Sequence, residues 1–456
     1  MDILQKRIKA VLSFFLFFIF AQAQHWDAKV TYDKTDSTEL LIVHVMPIYE
    51  IMDTFEIDFS KSILAQNDKE NLELWKMQEG VFEKVRAQVP FLSVNKEGFS
   101  YEIDLMKSQH IPSKAYLNYG SIQIANWQEI LFDCAANVEL DIVFLKDSKR
   151  YELGVKSLEE WKSNPTKILP SKTILQLNKI NVSSNLASKE LQQELEKVLN
   201  GFIYLQQAQD VVLIFANDSL PSGGISYPKL AIVYLDAKTS DSNPKLAFQH
   251  TLLHELFHYV SPYQIHPERE ATWMDKNWLA EATPEYLSLL YLLKNGLITE
   301  AVFIEQLEQK LRTATKFDGE SLNDMALDVY RNVAYYEAFY SKGCIALFLL
   351  DLKLYMESEG KISVLNLILG NFPDLNEERQ LFISNLMYEE EQALIYNEGC
   401  FAFNQYLAPF GWLYQKQIVL PYLNTSETAA LKKENIILNK MASAEQKDLW
   451  EGFKKK

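Results

Sequence analysis

The sequence predicts an α+β protein of more than one domain: a β-rich N-terminal part, a mixed α/β segment, and a mainly helical C-terminal region. Three observations carry this. Runs of β-branched and aromatic residues crowd the first third of the chain. A helical run and two strand-like runs stand together near the middle. From about residue 244 the apolar spacing becomes helical and stays so. A length of 456 residues suits two or three domains.

In order along the chain, residues 40–48 (LLIVHVMPI), 54–60, 99–105, 120–127 and 138–145 read as strands, with room for a short helix within 68–88. A sandwich is one way to arrange them. The isolated His44 and His110 read as structural residues. Residues 157–172 carry two prolines and read as a connector. Residues 188–202 form a helix that Gly201 can stop. Residues 211–217 and 229–235 follow as two strands of a hairpin, joined across DSLPSGG (218–224). Helices are expected over 244–260, 277–294, 299–314, 334–358 and 361–370, with a polar helical tail at the end. The resulting division is 1–23, 24–165, 166–300, 301–425 and 426–456.

Residues 1–23 read as an export signal. Lys6, Arg7 and Lys9 precede an apolar run over 10–21, and Ala21-Gln22-Ala23 offers a cleavage site. The run is too short to span a bilayer comfortably. The expectation is therefore an exported protein, periplasmic or secreted, without a lasting membrane insertion. A net charge of -16 argues against a nucleic-acid partner, because phosphate binding needs clustered cations. The three cysteines, Cys134, Cys344 and Cys400, allow one disulfide at most and include no Cys-x-x-Cys zinc pair.

The chemistry concentrates in HTLLHELFHYVS (250–261). Asn243 offers a cap and Pro244 suits the first helical turn. His254 and His258 are four apart, so their rings share one helix face and can reach one Zn²⁺. Glu255 is rotated aside, where it can act as base on a water. His250 lies a further turn back, and three successive turns converge poorly on one ion, so it reads as a supporting or surface residue. Downstream acids and imidazoles that can complete the site are His266, Glu268, Glu270, Asp275, Glu281 and Glu285.

NWLAEATPEYLSLLY (277–291) resembles the Trp-Leu-x-Glu segment of the gluzincin metallopeptidases, the thermolysin-like and aminopeptidase group. The resemblance implies a thermolysin-like catalytic domain, one Zn²⁺ and Glu281 as third ligand. The spacing of 23 positions after His258 suits the glycyl-aminopeptidase-type family. Pro284 disfavours a helix interior, so the helix is expected to start just before Glu281 or to kink. On a continuous helix Glu285 would share Glu281's face and could hold a histidine N–H; a solvated carboxylate is its other reading. Tyr340-Ser341-Lys342-Gly343 is similar to the family's Tyr-x-Lys-Gly segment, which implies Tyr340 as donor to the oxyanion; Tyr335 and Tyr336 are rivals.

The family also carries a Gly-Gly-x-Glu segment before its substrate strand. Here Gly223 and Gly224 are present, but Ser226 stands where the acid would be, and serine cannot pair with an ammonium. Gly223, Gly224 and Ser226 are the candidate substrate contacts, with a plain turn as the simpler reading. The following strand, KLAIVYL, offers backbone for adding an extended peptide. The family's C-terminal PDZ module is expected to be absent. The implied partner is a peptide or protein substrate. The alternative is a slow or inactive peptide-binding protein on the same scaffold.

Overall fold

Alternation of apolar and polar residues builds the first sheet. The computed structural model describes residues 24–34, 39–47, 54–58, 72–78, 81–87, 91–95, 99–104, 116–119, 122–125, 127–131, 133–134, 138–146, 149–163, 166–167, 173–216, 223–227, 229–236, 244–260, 277–317, 320–328, 332, 334–368, 406–419, 431–438 and 443–455. Residues 1–23, His110, Asn243, His266, Glu268, Glu270, Asp275 and Cys400 lie outside the described residues.

The N-terminal part contains β1 (Gln24–Lys34), β2 (Glu39–Pro47), β3 (Thr54–Asp58), β4 (Leu72–Gln78), β5 (Val81–Ala87), β6 (Phe91–Asn95), β7 (Phe99–Asp104), β8 (Tyr116–Tyr119), β9 (Ile122–Ala125), β10 (Asp133–Cys134), β11 (Val138–Lys146), β12 (Lys149–Ser157) and β13 (Thr166–Lys167). Seven of them form one sheet in the order β12-β11-β1-β2-β7-β4-β5. Two three-stranded sheets, β10-β3-β6 and β13-β9-β8, accompany it. Trp26, Ala28 and Val30 on β1, and Leu41, Val43 and Val45 on β2, are buried at every second position. Trp127 on α1 (Trp127–Ile130) and Trp161 on α2 (Leu158–Ser163) pack edge to face in this core at 5.4 Å. Trp161 Nε1 donates to the Leu140 carbonyl at 2.9 Å, so its burial leaves no orphaned donor.

Two expectations change here. Residues 68–88 hold no helix among the described residues; β4 and β5 pair antiparallel, and β4 also pairs with β7. A neighbouring strand supplies partners that make a period of two worthwhile. The connector over 157–172 is also partly structured, containing α2 and β13.

The second sheet positions the site. It contains β14 (Thr173–Leu177), β15 (Ile180–Ser184), β16 (Gln209–Ala216), β17 (Gly223–Tyr227) and β18 (Leu230–Asp236), in the order β14-β15-β16-β18-β17. β15 and β16 run parallel, joined through α3 (Lys189–Leu199). The Ser188 side chain caps α3 by accepting from Leu191 N, worth about 1 kcal/mol. β16 and β18 are also parallel, so they do not form the expected hairpin. The intervening residues supply β17, antiparallel to β18 and on the sheet edge. KLAIVYL is therefore flanked on both sides and has no free edge for a peptide. That edge belongs to β17, and Gly223 and Gly224 are strand residues paired with Tyr234 and Val233 rather than a turn.

Against this sheet lies α4 (Pro244–His258), and α5 (Asn277–Lys294), α6 (Glu300–Ala314), α7 (Leu322–Asp328) and α8 (Tyr335–Ala338) continue the helical part beyond it. α9 (Cys344–Glu357) and α10 (Val364–Ile368) follow. One apolar core runs from Leu175 through these helices to Phe453. The expected helix over 334–358 is interrupted by a π-helical turn, Phe339–Gly343, between α8 and α9. The segment 426–456 is not wholly helical: β20 (Leu431–Leu438) pairs with β19 (Trp412–Val419) before α11 (Ala444–Lys455). Trp450 and Phe453 bury that last helix in the core. Cys344 is a buried free thiol. Among the described residues no helix is long and apolar enough to cross a membrane.

Candidate metal centre

α4 begins at Pro244, whose missing N–H costs nothing in a first turn, and ends with His258. Leu252, Leu253, Leu256 and Phe257 bury it in the core. That burial carries His254 and Glu255 inside as well; they are only 6% and 5% exposed.

α5 begins at Asn277 and continues through Pro284 to Lys294, the bounds the sequence predicts; of the two alternatives for Pro284, a start just before Glu281 does not occur. Pro284 deprives the Ala280 carbonyl of its helical donor, at about 3 kcal/mol. Burial of Trp278, Leu279, Ala282, Tyr286, Leu287, Leu289 and Leu290 on this helix outweighs that cost. Continuity puts Glu281 and Glu285 one helical turn apart on the same face.

The two helices bring their polar groups together. His254 Nε2 lies 3.4 Å and His258 Nε2 3.7 Å from Glu281 Oε2. Neither approach has hydrogen-bond geometry, and Glu281 Oε2 is buried without a partner. His254 Nδ1 lies 3.0 Å from Glu285 Oε2. An ionised carboxylate only accepts, so a proton belongs on Nδ1, and in the neutral ring the lone pair is on Nε2, facing Glu281. With both rings neutral, two imidazole nitrogens and a carboxylate oxygen, all acceptors, converge on one region. This donor set fits Zn²⁺.

The electrostatics favour positive charge there, and in the chain alone a second proton on His254 supplies it. Burial pulls His254 down, but its contacts with Glu281 and Glu285 and the charges of Glu285 and Glu255 prevail and push its pKa up to about 10. Burial would raise Glu281, yet His254 and His258 hold it down at about 2. His258 falls to about 4, through burial first.

Glu255 is a second carboxylate nearby. One ligand atom each from His254, Glu255 and His258 lies within 4.8 Å of the others. The two carboxylates differ in their partners. Ser226 Oγ lies 2.7 Å from Glu255 Oε2 and 2.9 Å from the Glu255 carbonyl. Glu255 is therefore already held by protein, while Glu281 has an oxygen to spare. Burial raises Glu255 to about 7, against the lowering effects of His254 and Ser226. Gly224 lies under the same carboxylate: a Cβ there would meet Glu255 Oε1 at 2.5 Å. Ser226 and Gly224 thus contact Glu255, a relation that the sequence reading of them as substrate contacts missed. Gly223 has open space around its missing side chain.

Tyr340 sits on the π turn, its ring 5.5 Å from that of His254, and its hydroxyl bonds Glu281. Burial and the charge of Glu281 keep this phenol well above its usual range, hence neutral. Tyr335 packs on Phe317 and Tyr336 on Phe339. Two devices hold the turn. Lys342 Nζ donates to the Phe317 carbonyl at 3.3 Å and to that of Glu320. Gly343 allows close approach to α5, since a Cβ would fall 2.6 Å from that of Ala282.

His250 reaches Glu285, with Nε2 3.4 Å from its carbonyl and 3.6 Å from Oε1. Its ring thus sits beside Glu285. Lys310 on α6 pairs with the same Oε1. No sequence signal marks Lys310, which lies on a different helix from every residue it serves.

The crystal structure of an aminopeptidase N family protein from Idiomarina loihiensis matches this fold with a TM-score of 0.60 at 14% identity, covering 86% of this chain and 79% of that one. Native yeast LTA4 hydrolase matches at 0.41 and 14% identity, over 85% and 70%. Aminopeptidase A of Legionella pneumophila matches at 0.36 and 10% identity, over 91% and 56%. The last two are too loose to bear on the fold; the first shows that this chain shares the fold of that aminopeptidase N family protein. No protein-family model and no curated protein matches the chain.

Proposed function

We propose that this protein is an exported zinc metallopeptidase acting on peptide or protein substrates. The observation that carries the reading is the buried, unpartnered Glu281 Oε2 facing His254 Nε2 and His258 Nε2 at 3.4 and 3.7 Å. Those three residues would hold the zinc. Bound there, the ion supplies a Lewis acid that makes water nucleophilic at neutral pH.

Glu255 is the general base. A carboxylate raised to about 7 is half ionised at neutral pH, so it can take a proton from the attacking water and return it to the leaving nitrogen. Ser226 and Gly224 fix where that carboxylate sits. The neutral Tyr340 phenol donates to the developing oxyanion. Glu285 holds His254 so that Nε2 presents its lone pair. The edge strand β17 provides backbone on which an extended peptide can lie. The likeness to the Idiomarina aminopeptidase N family protein supports a peptidase scaffold for this arrangement.

The test compares wild type with Glu255→Gln on a peptide library, with products read by mass spectrometry and zinc counted per chain. Turnover should fall on the order of 10²- to 10⁴-fold while zinc content stays at one per chain. Ample residual turnover in the variant, or none in the wild type, overturns the reading. Matched free and N-blocked peptides separate the two modes: cleavage of both marks an endopeptidase, cleavage of free termini alone an aminopeptidase.

A further inference from the structure

We propose that Lys310 is a positioning residue for the metal centre: it fixes the Glu285 carboxylate that orients His254, so zinc affinity depends on a helix that contributes no ligand. This rests on the metal reading above.

Glu285 has both oxygens engaged. Oε2 takes the His254 Nδ1 proton at 3.0 Å, and Oε1 is paired with Lys310 Nζ, with His250 Nε2 at 3.6 Å. The Glu285 side chain is 5% exposed and that of Lys310 22%. A carboxylate held at one oxygen can still rotate; held at both, its plane is defined. That plane sets the direction of the Nδ1–H bond and hence the angle at which His254 Nε2 faces Glu281.

Three elements meet here. α4 brings the imidazole, α5 the carboxylate and α6 the ammonium. Buried without a counter-charge, Glu285 would gain from turning towards water and releasing the ring. Lys310 removes that incentive. His250 cannot replace it, because an imidazole is cationic only when protonated and a lysine ammonium carries charge throughout the neutral range.

A purely structural ion pair would make a different prediction, that removing Lys310 loosens α6 from α5 without touching the metal. The experiment therefore reads zinc affinity directly, by competition of the full-length apoprotein with a chromophoric chelator, alongside the melting temperature of the apo form. Lys310→Met should weaken zinc binding about tenfold, and Glu285→Gln by about 10- to 100-fold. The double variant should bind no more weakly than Glu285→Gln alone, because Lys310 acts through that carboxylate. Lys310→Arg should restore most of the affinity. If the methionine variant does not fold, Lys310→Gln gives the same reading.

Affinity of Lys310→Met within about twofold of wild type overturns the proposal, whatever the melting temperature does. So does a double variant whose loss is the product of the single losses. A wild type that binds no zinc overturns both the metal reading and this one. A wild type that binds zinc but cleaves no peptide overturns only the peptidase reading and leaves the Lys310 comparison legible.

Discussion

The seven-stranded sheet and the helices of the metal centre bury very different residues. In the sheet the interior is apolar: Val30, Leu41, Val43, Val45, Leu140 and Ile142 are sealed, and Ser100 is the one buried Ser, Thr, amide or charged side chain among its described side chains. In the helical part the interior holds His254, Glu255, Glu285, Lys342 and Asp351. Each buried charge costs several kcal/mol unless compensated. Glu255 has Ser226, Glu285 has Lys310, and Lys342 has two carbonyls. Asp351 accepts from the Tyr286 hydroxyl at 2.5 Å and the Val364 amide at 2.7 Å. Among the described residues Glu281 Oε2 is the one buried carboxylate oxygen left without a partner. A sheet that only has to be stable avoids such charges. A region that tolerates several and leaves one oxygen unsatisfied suits the cation proposed for it.

Breaking the contrast from the sheet side should give the largest effect. Leu140→Ala is expected to lower stability by about 2–5 kcal/mol, through lost burial and a cavity, measured by denaturant unfolding. Zinc affinity should stay unchanged; a parallel loss would show that the two regions are not separable. On the site side, Tyr340→Phe should lower kcat by about 10²- to 10³-fold with little change in KM and in stability. An unchanged kcat removes Tyr340 from the chemistry. Gly224→Ala sharpens the comparison further, because it adds one methyl to an edge strand but displaces a carboxylate. Turnover should fall by up to about 10²-fold with zinc retained, and full activity would show that Glu255 tolerates being moved.

Much of the site was legible in the chain. His254 and His258 share a face because helices repeat locally, and Pro244 fixed where their helix begins. Glu281 followed from resemblance. Glu285 followed once α5 was continuous over 277–294, as the apolar spacing predicted and Pro284 alone opposed. The Ser226 contact with Glu255 was not legible, because the identity of Ser226 shows what it lacks, a charge, and not what it touches. The hairpin over 211–235 was misread because strand runs do not state their partners; β17 folds back to the edge and leaves β16 and β18 parallel.

By itself the sequence determined the elements whose cause lies within a few residues: the period of two in β2, the helix that starts at Pro244, and the histidine pair four positions apart. Tertiary structure decided the rest: the edge position of β17, the π turn that presents Tyr340, the Ser226 contact and the Lys310 pair. The reason is physical. Helical and strand periodicity follow from backbone geometry that each residue carries with it, whereas a contact between distant segments exists only after the core has closed around it.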